Sequence, residues 1–187
     1  PQRALVSTGP AHELGWLRGL TLPDMPVRWD DRLVQALEYY RTDPRGRALV
    51  RGLFARENLY GPMIREKLRA AQLPEDLLYV AMVESGFDPR ARSDAGALGI
   101  WQLMAAPASQ YGLEMSRWVD ARMSPEPCTD AAIRFLQDVY DDLGSWPLAL
   151  SAFNMGYGAL LRAIQKYNSN DYWLLSSLEA GLPYETV

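Results

Sequence analysis

Leu73-Pro74-Glu75-Asp76-Leu77-Leu78-Tyr79-Val80-Ala81-Met82-Val83-Glu84-Ser85-Gly86-Phe87-Asp88-Pro89 reads as one short helix with both of its ends written into it. Pro74 suits a first helical position, where its missing N–H would be unpaired in any residue, and Glu75 and Asp76 set negative charge against the positive end of the helix dipole. Gly86 and then Pro89 stop the helix. Between those signals Leu77, Ala81 and Glu84 fall at i, i+4 and i+7 with Val80 beside them, so Glu84 extends an apolar stripe. Its carboxyl lies on the buried side, in the last turn, near the negative end of the dipole. Burial and dipole both disfavour the charged form, which predicts a raised pKa and suits a group that donates a proton and later takes one back. A surface glutamate near a helix end would satisfy the same spacing, so position alone leaves both readings open.

Outward from this segment the helical pattern repeats. Asp30 and Asp31 offer caps before Leu33, Leu37 and Tyr40, which share a face until Thr42-Asp43-Pro44 closes it after about three turns. Two further helices are expected over about 45–57 and 62–71, the second starting at Pro62 and carrying Met63, Ile64 and Leu68 on one face. Residues 1–30, with Pro10, Pro23, Pro26, Gly9, Gly15 and Gly19 and no sustained period, read as an irregular arm with one short helix around residues 12–20. On the other side, the glycine-rich loop Asp94-Ala95-Gly96-Ala97-Leu98-Gly99 leads through Ile100–Met104 to a helix over about 107–111, ended by Gly112. Thr129 is the expected cap of a long helix through Ala132, Phe135, Leu136, Val139 and Tyr140 toward Gly144. Trp146-Pro147 opens another over about 148–154, and Gly156 and Gly158 interrupt before the period resumes over 160–167. Strand-like alternation is hard to find. The chain is therefore expected to be all-α, with an arm over 1–30, N-terminal helices over 31–72 packing on a catalytic domain, and that domain over 73–187.

Composition narrows the function. With 48% hydrophobic residues in 187, the chain can bury a core of one domain plus an extension. A net charge of −4, with 19 basic residues scattered along the chain, removes the footprint of a nucleic-acid binder. One cysteine, Cys128, and one histidine, His12, leave no internal disulfide and no zinc set, and nothing calls for a cofactor. No apolar run approaches the roughly 20 residues that cross a bilayer, and Pro1-Gln2-Arg3-Ala4-Leu5-Val6 lacks the apolar segment of a signal peptide. The 6 Trp and 10 Tyr exceed what a core needs, so some have flat faces free to stack on sugar rings.

Four ordered motifs then carry a resemblance. Glu84-Ser85-Gly86-Phe87-Asp88-Pro89 with Ala91-Arg92-Ser93, then Gly96-Ala97-Leu98-Gly99-Ile100-Trp101-Gln102-Leu103-Met104, then Tyr111-Gly112-Leu113, and then Trp146-Pro147-Leu148-Ala149-Leu150-Ser151-Ala152-Phe153-Asn154-Met155-Gly156 resemble the signature of the family 1 lytic transglycosylases. Arg45 to Leu78, Asp171-Tyr172-Trp173 and Leu182-Pro183-Tyr184-Glu185-Thr186 are similar to segments of the membrane-bound transglycosylase D group, so the likeness covers roughly residues 26–187. It implies a lysozyme-like (goose-type) all-α catalytic domain. It also implies a substrate in bacterial peptidoglycan, cut at the β-1,4 bond between N-acetylmuramic acid and N-acetylglucosamine to leave 1,6-anhydromuramoyl ends. The location implied is the cell envelope, on the periplasmic side, with a membrane anchor in a fuller chain. The partner implied is the glycan strand, and an envelope-assembly protein partner is left open.

The resemblance assigns Glu84 as sole acid and base. A hydrolase on this fold would need a second carboxylate; Asp88 sits in a helix-ending turn that favours a side-chain to backbone bond, and Asp94 in a solvated loop. Ser93 matches the motif serine that holds substrate near the acid, or is a loop serine bonded to backbone. Gln102 and Asn154 offer amides to an acetamido group or hydroxyl, or serve structural networks. Gly99, with Gly96, fits a loop that approaches the sugar closely or needs positive φ. Trp101 and Tyr157 are placed near the groove, and Tyr111 in the core. Phe153 departs from the pattern, standing where the family usually has tyrosine. Ala105 replaces the usual proline and Pro107 the usual threonine. Cys128 stands for serine, a filler without a histidine to activate it. The resemblance also implies a further tyrosine-containing segment beyond Val187. Two rivals remain: a lysozyme-type hydrolase, and a weakly active glycan-binding or scaffolding module.

Overall fold

The computed structural model describes residues 15–25, 29 and 31–178. The motif Leu182–Thr186, His12 and most of the expected arm lie outside the described residues. Among the described residues eight α-helices follow one another, with three short 3-10 turns at Gly15–Gly19, Glu75–Leu77 and Ala121–Met123. Among the described residues there is no strand; three isolated antiparallel bridges, Arg92 with Leu98, Leu98 with Leu103 and Met115 with Asp120, shape loops. The fold is all-α, as the periodicity requires. No helix among the described residues is long and apolar enough to cross a membrane.

Two compact units divide between Ala55 and Arg56. In the first, α1 (Asp31–Thr42) gives way to α2 (Pro44–Ala70) at Asp43, whose carboxylate takes the Arg45 and Gly46 N–H groups at 2.7 and 3.3 Å and so caps α2. Gly46 is buried there, and a Cβ on it would lie 2.7 Å from the Tyr39 carbonyl oxygen. Only glycine allows so close a turn.

The second unit holds the remaining helices. The expected break before Pro62 does not occur: α2 runs through it to Ala70. An interior proline costs about 3 kcal/mol by removing one N–H and crowding the preceding turn. Burying both Ile64 and Leu68 completely, at about 1.5–3 kcal/mol each, offsets that. This half of α2 is also tied to later segments, Lys67 Nζ to Asp130 at 2.7 Å and Arg56 Nε to the Gly86 carbonyl at 2.6 Å, which is why the division falls before the boundary expected after residue 72. Pro74 precedes the turn Glu75–Leu77 instead of opening a helix, and α3 is Leu78–Ser85.

After α4 (Ala105–Gln110) comes α5 (Pro125–Leu143), whose buried stripe includes Cys128, Ala132, Leu136 and Val139. The expected cap at Thr129 is incorrect. α5 starts a full turn earlier, with Pro125 at its first position, where no N–H needs a partner, and Thr129 is fully buried inside the helix. α6 (Trp146–Met155) is apolar nearly all round and buries Trp146, Leu148, Ala149, Leu150, Ser151 and Ala152, the mark of a central helix. It packs between α5 and α7 (Tyr157–Tyr167). Only Gly156, at φ +88°, interrupts; Gly158 lies inside α7. The series ends with α8 (Tyr172–Ser177), capped by the Asp171 carboxylate.

Candidate active site

Glu84 sits one residue from the end of α3, half-buried, on the face shared with the fully buried Leu77 and Ala81. The helix is stopped by two successive left-handed residues, Gly86 at φ +59° and Phe87 at φ +61°. The first is easy for glycine; the second costs of order 1–3 kcal/mol, which the complete burial of the Phe87 ring offsets. Ser85 fastens this end to the next loop, its Oγ 2.8 Å from the Ile100 carbonyl oxygen, and accepts the Asp88 N–H at 3.2 Å. Asp88 in turn accepts the Arg90 N–H at 2.9 Å on one carboxylate oxygen, a local turn bond.

Burial pushes the Glu84 carboxyl above its ordinary value, and a hydrogen bond donated by the Asn154 side chain opposes that rise in part. Asn154 stands in the last turn of α6, exposed to solvent. Two helix ends, distant in sequence, thus meet at a carboxyl and an amide. Among the described residues Glu84 forms no ion pair. Withdrawal from water therefore favours its protonated form more than in a free glutamate.

The loop from Ala91 to Met104 carries most of the other expected residues, and Trp101 is the one that lies away from its expected place near a groove. Trp101 is fully buried, its Nε1–H donating to Thr129 Oγ1 at 2.9 Å, because Thr129 on α5 is the partner a buried indole N–H needs. It offers no face to a ligand and instead meets the Phe153 ring edge-on, with centroids 6.3 Å apart. Gly99 is buried too: at φ +83° a Cβ would lie 1.9 Å from the Arg122 carbonyl oxygen, so its small size serves a backbone crossing. Gln102, itself left-handed at φ +48°, commits both amide hydrogens to the Ala91 and Gly99 carbonyls at 3.0 and 2.9 Å. Ser93 accepts the Ala97 N–H on its Oγ at 3.0 Å.

Arg122 is the residue the sequence reading missed. Nearly buried, it pairs with both oxygens of Asp120, Nε at 3.0 Å and Nη2 at 2.7 Å, and its Nη1 donates to the Gly96 and Leu103 carbonyls at 3.0 and 3.1 Å. One guanidinium thereby clasps both ends of the segment containing Trp101 and Gln102. The available signal was Asp120-Ala121-Arg122, opposite charges two apart just before Pro125.

Phe153 is half-buried between Trp101 and Phe135, edge-on to each. Tyr157 donates its hydroxyl to Asp142 on α5 at 2.9 Å, which fastens α7 to α5 and raises the phenol's pKa. Tyr111, half-buried and edge-on to Phe135, donates to Asp138 at 3.0 Å, and its burial with that carboxylate pushes its phenol up to about 12. Burial likewise pushes the Cys128 thiol up to about 11, which leaves it inert as a nucleophile. Among the described residues, no three His, Cys, Asp or Glu side chains gather where they could share a metal ion.

Comparison with known proteins adds to this geometry. Residues 62–176 match the model of the transglycosylase SLT domain. Over 169 residues the chain is 31% identical to membrane-bound lytic murein transglycosylase D of Escherichia coli (strain K12), an alignment covering 87% of this chain and 35% of that one. It is 32% identical over 127 residues to membrane-bound lytic murein transglycosylase F 2 of Alkalilimnicola ehrlichii, covering 64% of this chain and 27% of that one. The chain thus spans between about a quarter and about a third of the length of these two relatives.

Proposed function

The chain belongs to the transglycosylase SLT domain family, and on that premise we propose that it is a lytic transglycosylase that cuts peptidoglycan without water, with Glu84 as sole acid and base. The bond is the β-1,4 link between N-acetylmuramic acid and N-acetylglucosamine. The observation that carries this reading is the Glu84 carboxyl itself, raised by burial and held by one amide.

Protonated Glu84 donates to the glycosidic oxygen as its bond to C1 breaks. The acetamido oxygen of the same muramic residue closes on C1 and takes up the developing positive charge. The 6-hydroxyl oxygen then attacks C1, the acetamido group leaves, and the Glu84 carboxylate accepts the hydroxyl proton. The acid is restored, a 1,6-anhydro end forms, and no second carboxylate is needed, in contrast to hydrolytic schemes. Asn154 orients the carboxyl and steadies it while it is charged. With its hydrogens committed to the loop, Gln102 keeps a carbonyl oxygen for an acetamido N–H, and Ser93 lies in the same loop. Trp101 supports the site from below through Phe153, which lacks the hydroxyl a tyrosine would add there. This substrate would place the protein in the bacterial envelope, on the periplasmic side.

Digestion of intact sacculi by the protein and by Glu84→Gln, with fragments assigned by mass, tests the reading. Anhydro ends from the parent and none from Glu84→Gln are expected. Fragments heavier by one water would mark a hydrolase instead. Binding without release, unchanged by Glu84→Gln, would mark a glycan-binding module.

A further inference from the structure

The segment between α4 and α5 carries a feature that the chemistry at Glu84 does not use. Met115 and Asp120 bridge across a tight turn. Within it the Ser116 N–H donates to the Val119 carbonyl at 2.7 Å, and Ser116 Oγ accepts the Trp118 and Val119 N–H groups at 3.3 and 3.1 Å. The tip, Arg117-Trp118, is thus held in one shape. Trp118 is 85% exposed, more than any other large apolar side chain among the described residues. The Arg117 guanidinium lies over its ring, 5.2 Å from the centroid. The foot of the turn is Asp120, the partner of Arg122, so the turn stands on the frame that clasps the loop of Gln102.

We propose that Arg117 and Trp118 form a further substrate contact, in which the open face of the indole stacks on the C–H face of one sugar ring and Arg117 pairs with a carboxylate of the peptide stem. This rests on the peptidoglycan reading above. An indole carried on a backbone turn already fixed by hydrogen bonds binds with less ordering cost than one on a free loop. With the guanidinium over one face, the ring has a single face for a single sugar. In a chain of net charge −4, a cation at this tip draws an anionic strand to this point in particular. The contact holds the strand at a distance from the bond being cut and adds to affinity for long, stem-bearing glycan.

The test is sedimentation with purified sacculi in the Glu84→Gln background, where the strand is not consumed. Trp118→Ala is expected to weaken binding to sacculi and to a neutral N-acetylglucosamine oligomer by about tenfold, with Trp118→Phe in between. Arg117→Ala is expected to weaken binding to sacculi but not to sacculi stripped of their peptides. Both variants should melt as the parent does, since the side chains they change are exposed. Binding to sacculi unchanged by Trp118→Ala overturns the proposal, as does loss confined to phosphatidylglycerol vesicles, which would make the tip a membrane contact. Should the parent fail to cleave sacculi, the enzymatic reading falls, and sedimentation still decides this one.

Discussion

Arg122→Met removes the clasp on the loop that carries Gln102 while keeping a side chain of similar length. The guanidinium is 9% exposed and donates twice to Asp120 and once each to the Gly96 and Leu103 carbonyls. A buried carbonyl left without its donor costs about 1–3 kcal/mol. The Leu103 contact is buried and takes the upper part of that range, whereas the Gly96 contact is only part-buried and takes the lower. Asp120 is 25% exposed, so water recovers part of its loss, which falls below the roughly 3–5 kcal/mol of a broken buried pair. With the methionine chain restoring some apolar contact, the net cost is about 3 kcal/mol, or a melting temperature lower by about 6–12 °C for a chain of this size. The pH dependence adds a second reading. Arg122 holds the Asp120 carboxyl below its ordinary 3.8, so the pair's stabilisation is complete above 3.8 and disappears as pH falls through the lowered native value. Thermal unfolding at pH 7 and under strongly acidic conditions checks both. The parent and Arg122→Met should differ at pH 7, and the gap should narrow in acid by the Asp120 share while the Gly96 and Leu103 share persists. Equal melting at pH 7, or a gap that stays constant into acid, refutes the clasp.

Three further substitutions bear on the site and the loop beside it. Asn154→Ala removes the hydrogen bond that favours charged Glu84, so the carboxyl should stay protonated to higher pH; the alkaline limb of kcat/KM against pH moves up, and a limb that stays put or moves down rejects the contact. Gly99→Ala forces a Cβ to 1.9 Å from the Arg122 carbonyl oxygen at φ +83°, and should cost at least about 4 kcal/mol or abolish soluble expression, while Gly112→Ala, at φ +84° with open space around it, should cost only about 1–2 kcal/mol. Similar melting of the two variants would count against the close crossing.

The parts of this molecule that could be read in advance are those whose cause is local. Gly86, Gly112 and Gly144 end helices because each takes up positive φ there, and Leu77, Ala81 and Glu84 share a face because the helix repeat requires it. What escaped depends on distant partners. Pro62 punctuates a sequence, yet Ile64 and Leu68 are so fully buried that the helix continues through it. Thr129 has the chemistry of a cap but is claimed by the buried Trp101 N–H. That one bond also explains why an aromatic expected near a groove is fully buried instead. Arg122 was invisible because its acceptors, Gly96 and Leu103, lie in another part of the chain.

The packing of α6 between α5 and α7 bears on how the acid comes into being. Gly144 and Ser145 join α5 to α6, and Gly156 alone joins α6 to α7, so these three helices meet through contacts near in sequence, which cost little chain entropy to close and are expected to form early in folding. Asn154 belongs to that early body, whereas Glu84 reaches it from a helix far upstream. Substitutions in the α5–α6 interface should slow folding, and those on α3 should mainly speed unfolding. Until α3 docks, Glu84 is hydrated and the burial that raises its carboxyl is absent. The burial that completes the fold is thus also the step that raises this carboxyl, so its acidity is a property of the assembled fold and not of the helix alone.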